Sequence, residues 1–257
     1  MKYAKHFIPL ESDPEIFTAL AHDLGLSKSA AFDDVFDLEF IDPAGQALAY
    51  ILVFPESEAQ ERDKLFAAPE GQPIRSQDVV WYKQTIHNAC GFYAMIHAVS
   101  NGPARRVIGI ATPILIVTET RGKGTGFESY ETLTVLAESD TFFSNLNAQS
   151  TPAERTKFIE TSQELETTYR KHGLQGQTEA PDAAEAEVDY HYICFVETDG
   201  QLYELDGSRN GPVSRGRIGE GALGFSEKVA ETINAYIKRE DGVVTAQHFS
   251  LMKLVRE

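Results

Sequence analysis

The sequence predicts an α+β fold, and three observations lead there. Strand and helix signals are mixed along the chain without the regular strand–helix–strand alternation of parallel-sheet folds. Two apolar runs, Tyr192–Val196 and Leu202–Leu205, flank the turn pair Asp199-Gly200, a hairpin signal. The chain has 257 residues with 42% hydrophobic and 10% aromatic content, enough to bury a core. Nothing in the order of residues demands a second unit, so a single domain over residues 1–257 is expected.

In order along the chain, Ser12-Asp13-Pro14 predicts a helix start, with Ser or Asp as cap and Pro in the first turn. Ile16, Leu20 and Leu24 then share one face, and Gly25 supplies the stop. Phe32 to Phe40 is apolar and acidic by turns. Leu48 to Phe54 is a continuous apolar run ending at Pro55, the pattern of a buried strand. Val79-Val80-Trp81-Tyr82 reads as a short extended stretch. A helix begins near Asn88, with Phe92, Met95, Ile96 and Val99 at helical spacing. From Glu160 to Asp189 the character changes. The part through Arg170 can continue a helix, but from Lys171 onward Gly173, Gly176, Pro181 and many Glu and Ala leave almost nothing to bury. A long exposed loop of about 20 residues is expected there, and such loops are usually functional or disordered. After the hairpin come a helix near Lys228 to Arg239 and a final strand, His248 to Val255.

Lys and Arg number 23 and Asp and Glu 39, a formal charge of −16. Such a chain is repelled by phosphate backbones and anionic lipid headgroups, so neither nucleic acid nor a membrane surface is an expected partner. A partner with a basic face is favoured. Two Cys exclude a disulfide framework. The residues after Met1 hold no apolar secretory segment, and the longest apolar run, Val107 to Val117, is about half a membrane span. A cytoplasmic location, also nuclear, is expected.

Cys90 falls at the start of the helix after Asn88, where the helix dipole and free N–H groups favour a thiolate. Alone it is as readily a small core residue. Gln84, six residues upstream, can turn its amide back toward an oxyanion, with the backbone N–H of Cys90 as second donor. Alone it is as readily a solvated loop residue. His191 opens one strand and Asp206 closes the next. With a two-residue turn, 198 pairs with 201, His191 opposes Ser208, and Asp206 is its diagonal neighbour on the same face. A slip of one residue would part them. Asp206 can then fix the His191 tautomer while the other ring nitrogen meets Cys90. The plainer readings are a half-exposed strand-end His and a turn Asp before Gly207. Cys194 has the opposite strand parity and is expected in the core. His97 is expected to pack, and His6, His22 and His172 have no partner at useful spacing. No CxxC, HExxH or Walker pattern occurs, so no metal, nucleotide or other cofactor is expected.

The stretch Gln84-Thr85-Ile86-His87-Asn88-Ala89-Cys90-Gly91, followed by Ile96-His97-Ala98-Val99-Ser100-Asn101, resembles the active-site block of the ubiquitin carboxyl-terminal hydrolases, the UCH-type cysteine deubiquitinases of peptidase family C12. Pro9-Leu10-Glu11-Ser12-Asp13-Pro14-Glu15 resembles that family's N-terminal ubiquitin-contact segment. Gly176 to Pro181 resembles the end of its active-site crossover loop, and the stretches around His191 and Leu202 to Gly207 resemble its two catalytic strands. The resemblance spans nearly the whole chain and keeps the family's order of Gln, Cys, His and Asp. It implies a papain-like α+β fold with a central antiparallel sheet flanked by helices, a knotted backbone and a crossover loop over about 160–182. It implies Cys90 as nucleophile, His191 as general base then acid, Asp206 as its orienter and Gln84 as oxyanion donor. Ubiquitin would touch Pro9, Leu10, Glu11, Ser12 and Asp13, then Gly173, Gly176, Gln177, Thr178, Glu179 and Ala180, with Phe249 in a third segment. The implied reaction is thiol-dependent hydrolysis after the C-terminal Gly of ubiquitin, with Nedd8 as a second candidate, by a monomer without a cofactor. A loop of this length implies small or unfolded leaving groups.

Two departures stand out. Phe92-Tyr93 follow Cys90-Gly91 where the family has a small residue such as Thr, so packing beneath the nucleophile must differ. About 20 extra residues, roughly 104–124, separate Asn101 from a helix expected near Leu133, and read either as an added surface strand or as a mistake in the predicted coding sequence. The competing reading is a non-catalytic ubiquitin-binding protein of the same fold.

Overall fold

A computed structural model of the chain describes residues 3, 5–55, 79–108, 114–117, 133–136, 140–176, 190–219, 223–239 and 249–256. The first helix, α1 (Pro14–Asp23), starts where the Ser-Asp-Pro signal puts it. The Asp13 carboxylate accepts from the N–H groups of Glu15 and Ile16 at 2.7 and 3.2 Å, filling two places that the first helical turn leaves open. Beyond its end Gly25 takes φ +109°, and Thr141 packs where a side chain would stand. β1 (Ala30–Asp34), β2 (Ala47–Pro55) and α2 (Cys90–Val99) follow, then a 3-10 turn over Gly102–Val107. β3 (Ile114–Val117) pairs antiparallel with β4 (Leu133–Leu136). Three helices come next, α3 (Phe142–Ala148), α4 (Pro152–Thr161) and α5 (Gln163–Gly173). The chain closes with β5 (Tyr190–Thr198), β6 (Gln201–Leu205), β7 (Val213–Arg217), α6 (Leu223–Arg239) and β8 (Ser250–Arg256). Among the described residues no helix is long and apolar enough to cross a membrane.

Six strands form one sheet in the order β1–β8–β2–β5–β6–β7, with every neighbouring pair antiparallel. β2 and β5 are central and covered on both faces. Ala49, Ile51 and Val53 of β2, with Tyr192, Cys194 and Val196 of β5, join α1 and α2 in the larger core. Tyr50, Leu52 and Phe54, with Ile193 and Phe195, meet Val229, Ile233 and Tyr236 of α6 in the smaller one. Burial on both faces is why β2 reads as an unbroken apolar run. The β5–β6 hairpin keeps the register drawn from its turn: Thr198 pairs with Gln201 and Cys194 with Leu205. Asp199 (φ +54°) and Gly200 (φ +70°) are both left-handed, as a two-residue type I′ turn requires.

Three expectations are corrected. Leu133–Leu136 is a strand, not a helix, because the run Ile114–Val117, in which all but Leu115 are β-branched, pairs with it. The segment drawn as a surface insertion over 104–124 begins inside the larger core, where Ala104 and Val107 are buried, and β3 is its strand. The loop drawn from 160 begins later, since the chain is helical through Gly173 apart from the α4–α5 junction at Ser162. A narrow stripe of Leu165, Tyr169 and His172 suffices to seat α5, which overall composition does not reveal. Val79 to Tyr82 is extended but joins no strand. Residues 177–189, which include Gln177, Thr178, Glu179 and Ala180, lie outside the described residues, as do 56–78.

Candidate active site

Cys90 is the first residue of α2 and is 7% exposed, in the larger core. Asn88 turns the chain into the helix with φ +57°, a conformation Asn tolerates better than most residues. No side chain caps this helix end, so its first N–H groups are left for other acceptors. Gly91 is closely covered: a Cβ there would lie 3.3 Å from both Leu10 Cβ and Phe17 Cζ. The bulk that follows is accommodated on the far side. Phe92 packs edge-on against Phe142 and Tyr169, and the Tyr93 hydroxyl accepts the Thr85 N–H at 3.1 Å.

His191 lies at the start of β5, 5% exposed, and Asp206 follows the end of β6 with no exposure. His191 Nε2 and Asp206 Oδ1 are 2.8 Å apart, and the imidazole also hydrogen-bonds Cys90. Asp206 Oδ1 further accepts from the Ser208 N–H at 2.9 Å and the Ser208 hydroxyl at 2.8 Å, so the carboxylate is locked by its own turn. Burial works against a charge on His191. The Asp206 carboxylate, helped by Cys90, outweighs it and lifts the imidazole to about 10. The arrangement stabilises an imidazolium beside a thiol, the state needed for a thiolate nucleophile. Cys194 is fully buried in the larger core, and burial pushes its thiol up.

One segment ties the two halves together. On the α2 side, Asn101 Oδ1 accepts the Val80 N–H at 2.7 Å, and its Nδ2 donates to the Val80 carbonyl at 2.8 Å. The Tyr82 N–H donates to His97 Nε2 at 2.9 Å, and the Tyr82 hydroxyl donates to Ser100 at 2.9 Å. On the sheet side, Trp81 Nε1 donates to the Asp206 carbonyl at 3.0 Å and the Gln84 N–H to the Gly207 carbonyl at 2.9 Å. A Cβ at Gly207 would stand 2.8 Å from Gln84 Cβ, so this approach needs glycine. His97 therefore does more than pack. It is a neutral acceptor, which burial holds down at about 3 even though Asp206 pulls the other way. Gln84 itself is buried, with its amide nitrogen donating to the Ile86 carbonyl at 3.1 Å; the second amide hydrogen is not used by that bond.

The N-terminal segment crosses the same region. Tyr169 and Tyr192 donate to the carbonyls of Ile8 and Leu10 at 2.7 and 2.8 Å, and Ser12 Oγ meets Ser250 Oγ at 2.9 Å. Leu10 is buried, so its side chain supports the nucleophile rather than facing outward. Pro9, Glu11, Ser12 and Asp13 are partly exposed. Glu11 packs on Gly176, the last described residue before the crossover segment, and Gly173 ends α5 nearby against Ile8. Phe249 is partly buried against the smaller core. Glu11, Asp13, Asp33 and Asp34 share the lining of a groove of about 960 Å³. Desolvation, then Asp33 and Asp13, push the Asp34 carboxyl above its usual range, and Lys28 and Lys171 line the same groove.

Cys90, His191 and Asp206, which the sequence groups, lie together in the fold; Ser208, Trp81 and Asn101 were not singled out. The sequence also left three histidines without partners that the fold supplies. His172 Nε2 meets Asp23 Oδ2 at 2.9 Å, His22 meets the Ala30 carbonyl at 2.8 Å, and His6 bridges to His87. These partners come from other elements, so no local spacing could show them.

A nucleophile delivered by a helix and a base delivered by an antiparallel sheet, meeting in a dry seam, define the papain-like cysteine hydrolases as a class. The family model described as ubiquitin carboxyl-terminal hydrolase, family 1, matches residues 7–238. Ubiquitin carboxyl-terminal hydrolase YUH1 of Saccharomyces cerevisiae is 30% identical over 82% of this chain and 78% of its own. The human isozyme L1 is 29% identical over 95% of this chain and 97% of its own. In fold, the Trichinella spiralis UCH37 catalytic domain, solved bound to ubiquitin vinyl methyl ester, aligns with TM-score 0.66 at 18% identity, covering 99% of this chain and 98% of that one. The chain belongs to ubiquitin carboxyl-terminal hydrolase family 1, and as a member of it is a cysteine deubiquitinase.

Proposed function

We propose that this chain cleaves bonds to the C-terminal Gly of ubiquitin through a thioester on Cys90, with ubiquitin as its partner. The observation that supports the assignment of roles is the single imidazole of His191, hydrogen-bonded to Cys90 on one side and Asp206 on the other. The Cys90 thiolate adds to the scissile carbonyl, and the oxyanion takes hydrogen bonds from the Gln84 amide and the Cys90 N–H. The imidazolium of His191 gives its proton to the leaving amine or alcohol as the tetrahedral intermediate collapses to the acyl-thioester. His191 then takes a proton from water as water attacks, and collapse of the second intermediate frees ubiquitin and restores the thiolate–imidazolium pair. Asp206 orients the ring throughout and takes no proton. The acidic groove beside Glu11 and Asp13 suits a partner with a basic face and speeds its encounter. Leaving groups are small or unfolded, Nedd8 is a second substrate candidate, and the chain acts as a monomer. A cytoplasmic and nuclear location suits its two free thiols.

Cys90→Ala tests the assignment. Turnover of a ubiquitin–fluorophore ester is expected to vanish, with ubiquitin affinity within about an order of magnitude of native, because most contact area lies away from the thiol. Residual turnover would remove Cys90 from its role. The native protein is expected to form a covalent adduct with ubiquitin bearing a C-terminal electrophile; tight binding without adduct would select the non-catalytic module.

A further inference from the structure

Behind Asp206 lies a buried charge cluster that the reaction as written does not use. Asp206 to Arg209 form a tight turn, closed by the Arg209 N–H donating to the Asp206 carbonyl at 3.2 Å. The turn folds the Arg209 side chain, 9% exposed, back over its own start. Its Nε lies 3.5 Å from Asp206 Oδ2 and 3.6 Å from Glu204 Oε1. Glu204, on β6, has no exposure, and its other oxygen receives Arg215 Nε and Nη2 from β7 at 2.9 and 2.7 Å. The Tyr236 hydroxyl of α6 reaches the same oxygen. Two buried carboxylates are thus matched by two guanidiniums, and the cluster is neutral before the catalytic pair is counted.

We propose that Arg209 is a positioning residue for the catalytic pair: shared between Asp206 and Glu204, it sets how strongly Asp206 holds the imidazolium of His191. The inference rests on the Cys90–His191–Asp206 reading above. The two oxygens of Asp206 have divided duties. Oδ1 takes the imidazole and both Ser208 donors, while Oδ2 faces the guanidinium. A cation on Oδ2 weakens the hold on the imidazolium; Glu204 draws part of that cation away and restores it. His97 of α2 also faces Asp206, but it is neutral and hydrogen-bonded to the backbone. Lys83 delivers its ammonium to the carbonyls of Ser208 and Arg209 at 2.8 and 2.7 Å. Arg209 and Glu204 are therefore the charges that bias the pair from behind, with opposite signs.

The test follows the rate at which iodoacetamide alkylates Cys90 across pH, a readout that needs no ubiquitin, and repeats it as kcat for a ubiquitin–fluorophore ester. In Arg209→Gln both limbs of the profile are expected to move to higher pH by about one unit, as removal of a nearby charge does. In Glu204→Gln they are expected to move to lower pH, and in the double variant to return. Arg209→Lys keeps the cation without the fork and is expected to bring the limbs back to within about 0.3 unit of native. Unmoved limbs in Arg209→Gln, or shifts of the same sign in Arg209→Gln and Glu204→Gln, overturn the proposal. If a single variant does not fold, the neutral double decides. A folded double with native limbs supports charge sharing, and a double that stays unfolded makes Arg209 a framework residue only. A native protein whose Cys90 alkylates like an ordinary thiol, with no second limb, instead overturns the catalytic reading itself.

Discussion

The start of β5 and the interior of α2 bury a histidine almost equally, His191 at 5% and His97 at 0% exposure, and hold them in opposite charge states. His191 is lifted to about 10, and His97 is pressed down to about 3. Loss of water acts the same way on both, against the charged ring. What differs is the group at Nε2. For His191 it is a carboxylate at 2.8 Å, for His97 a backbone N–H at 2.9 Å. A dry site amplifies whatever partner it contains, so one sheet end makes an imidazolium and the neighbouring helix makes a permanent acceptor. His172 offers a geometric contrast. It too is buried and meets a carboxylate, Asp23, at 2.9 Å, but that carboxylate is 40% exposed and its charge is shared with Lys171 and screened by water.

The largest change to this comparison comes from removing its charged member. His191→Ala is expected to lower kcat by about 10³–10⁴ with ubiquitin affinity unchanged, and Asp206→Asn by less, because Asp206 orients the ring without exchanging a proton. In Asp206→Asn, burial acts on His191 with only Cys90 left to oppose it, so the alkaline limb of the pH–rate profile should fall well below 10. Equal losses, or a loss confined to KM, would contradict the division of roles.

His97→Leu probes the neutral member. It leaves the Tyr82 N–H without its acceptor, at a cost of about 1–3 kcal/mol in urea unfolding at pH 7. The pH dependence carries a definite sign. A histidine lowered from 6.5 to about 3 contributes its stability above pH 6.5 and loses it as pH falls toward 3. At pH 5 the native protein has lost about 2 kcal/mol of that contribution, which the variant never had. The deficit of His97→Leu should therefore narrow from pH 7 to pH 5. An equal deficit at both values would mean that His97 titrates alike folded and unfolded. His191 works on the other side: raised above 6.5, its contribution is full below that value and is lost as pH climbs toward 10.

The smallest effect is expected from Asp23→Asn, which removes the exposed version of the pair. Hydrogen bonds from Lys171, then His172, hold the Asp23 carboxyl below its usual range, so its contribution exists at neutral pH and is lost on acidification. Because water screens it, the loss should stay under about 1 kcal/mol, with catalysis unaffected. A loss as large as that of His97→Leu would show that exposure is not what separates this pair from His191 and Asp206.

Much of this was legible in the chain because the determinants are local. Asp199-Gly200 dictates a two-residue turn, the turn dictates the β5–β6 register, and the register brings Asp206 to His191. The Asp13 cap and the helix start at Cys90 are likewise written within a few residues. What was not legible depends on distant pairing. α5 is seated by three side chains, one of them a tyrosine that reaches Ile8, β4 is a strand because β3 lies beside it, and His172 finds Asp23 149 positions away. His97 looked like packing because its partner is a backbone N–H, and a backbone N–H leaves no mark in a sequence.

The segment from Val80 to Gln84 has a consequence for how this enzyme can be controlled. The N–H groups of Val80, Tyr82 and Gln84 are spent on Asn101 and His97 on the helix side and on the Gly207 carbonyl on the sheet side, so these three are released only when helix and sheet separate. Local opening of a protein begins where backbone bonds face solvent and contacts are few, and this seam is neither. The reactive geometry is thus carried by a seam whose bonds join helix to sheet. Partial loosening elsewhere leaves it assembled, and entry to the thiol is where control of the reaction can act.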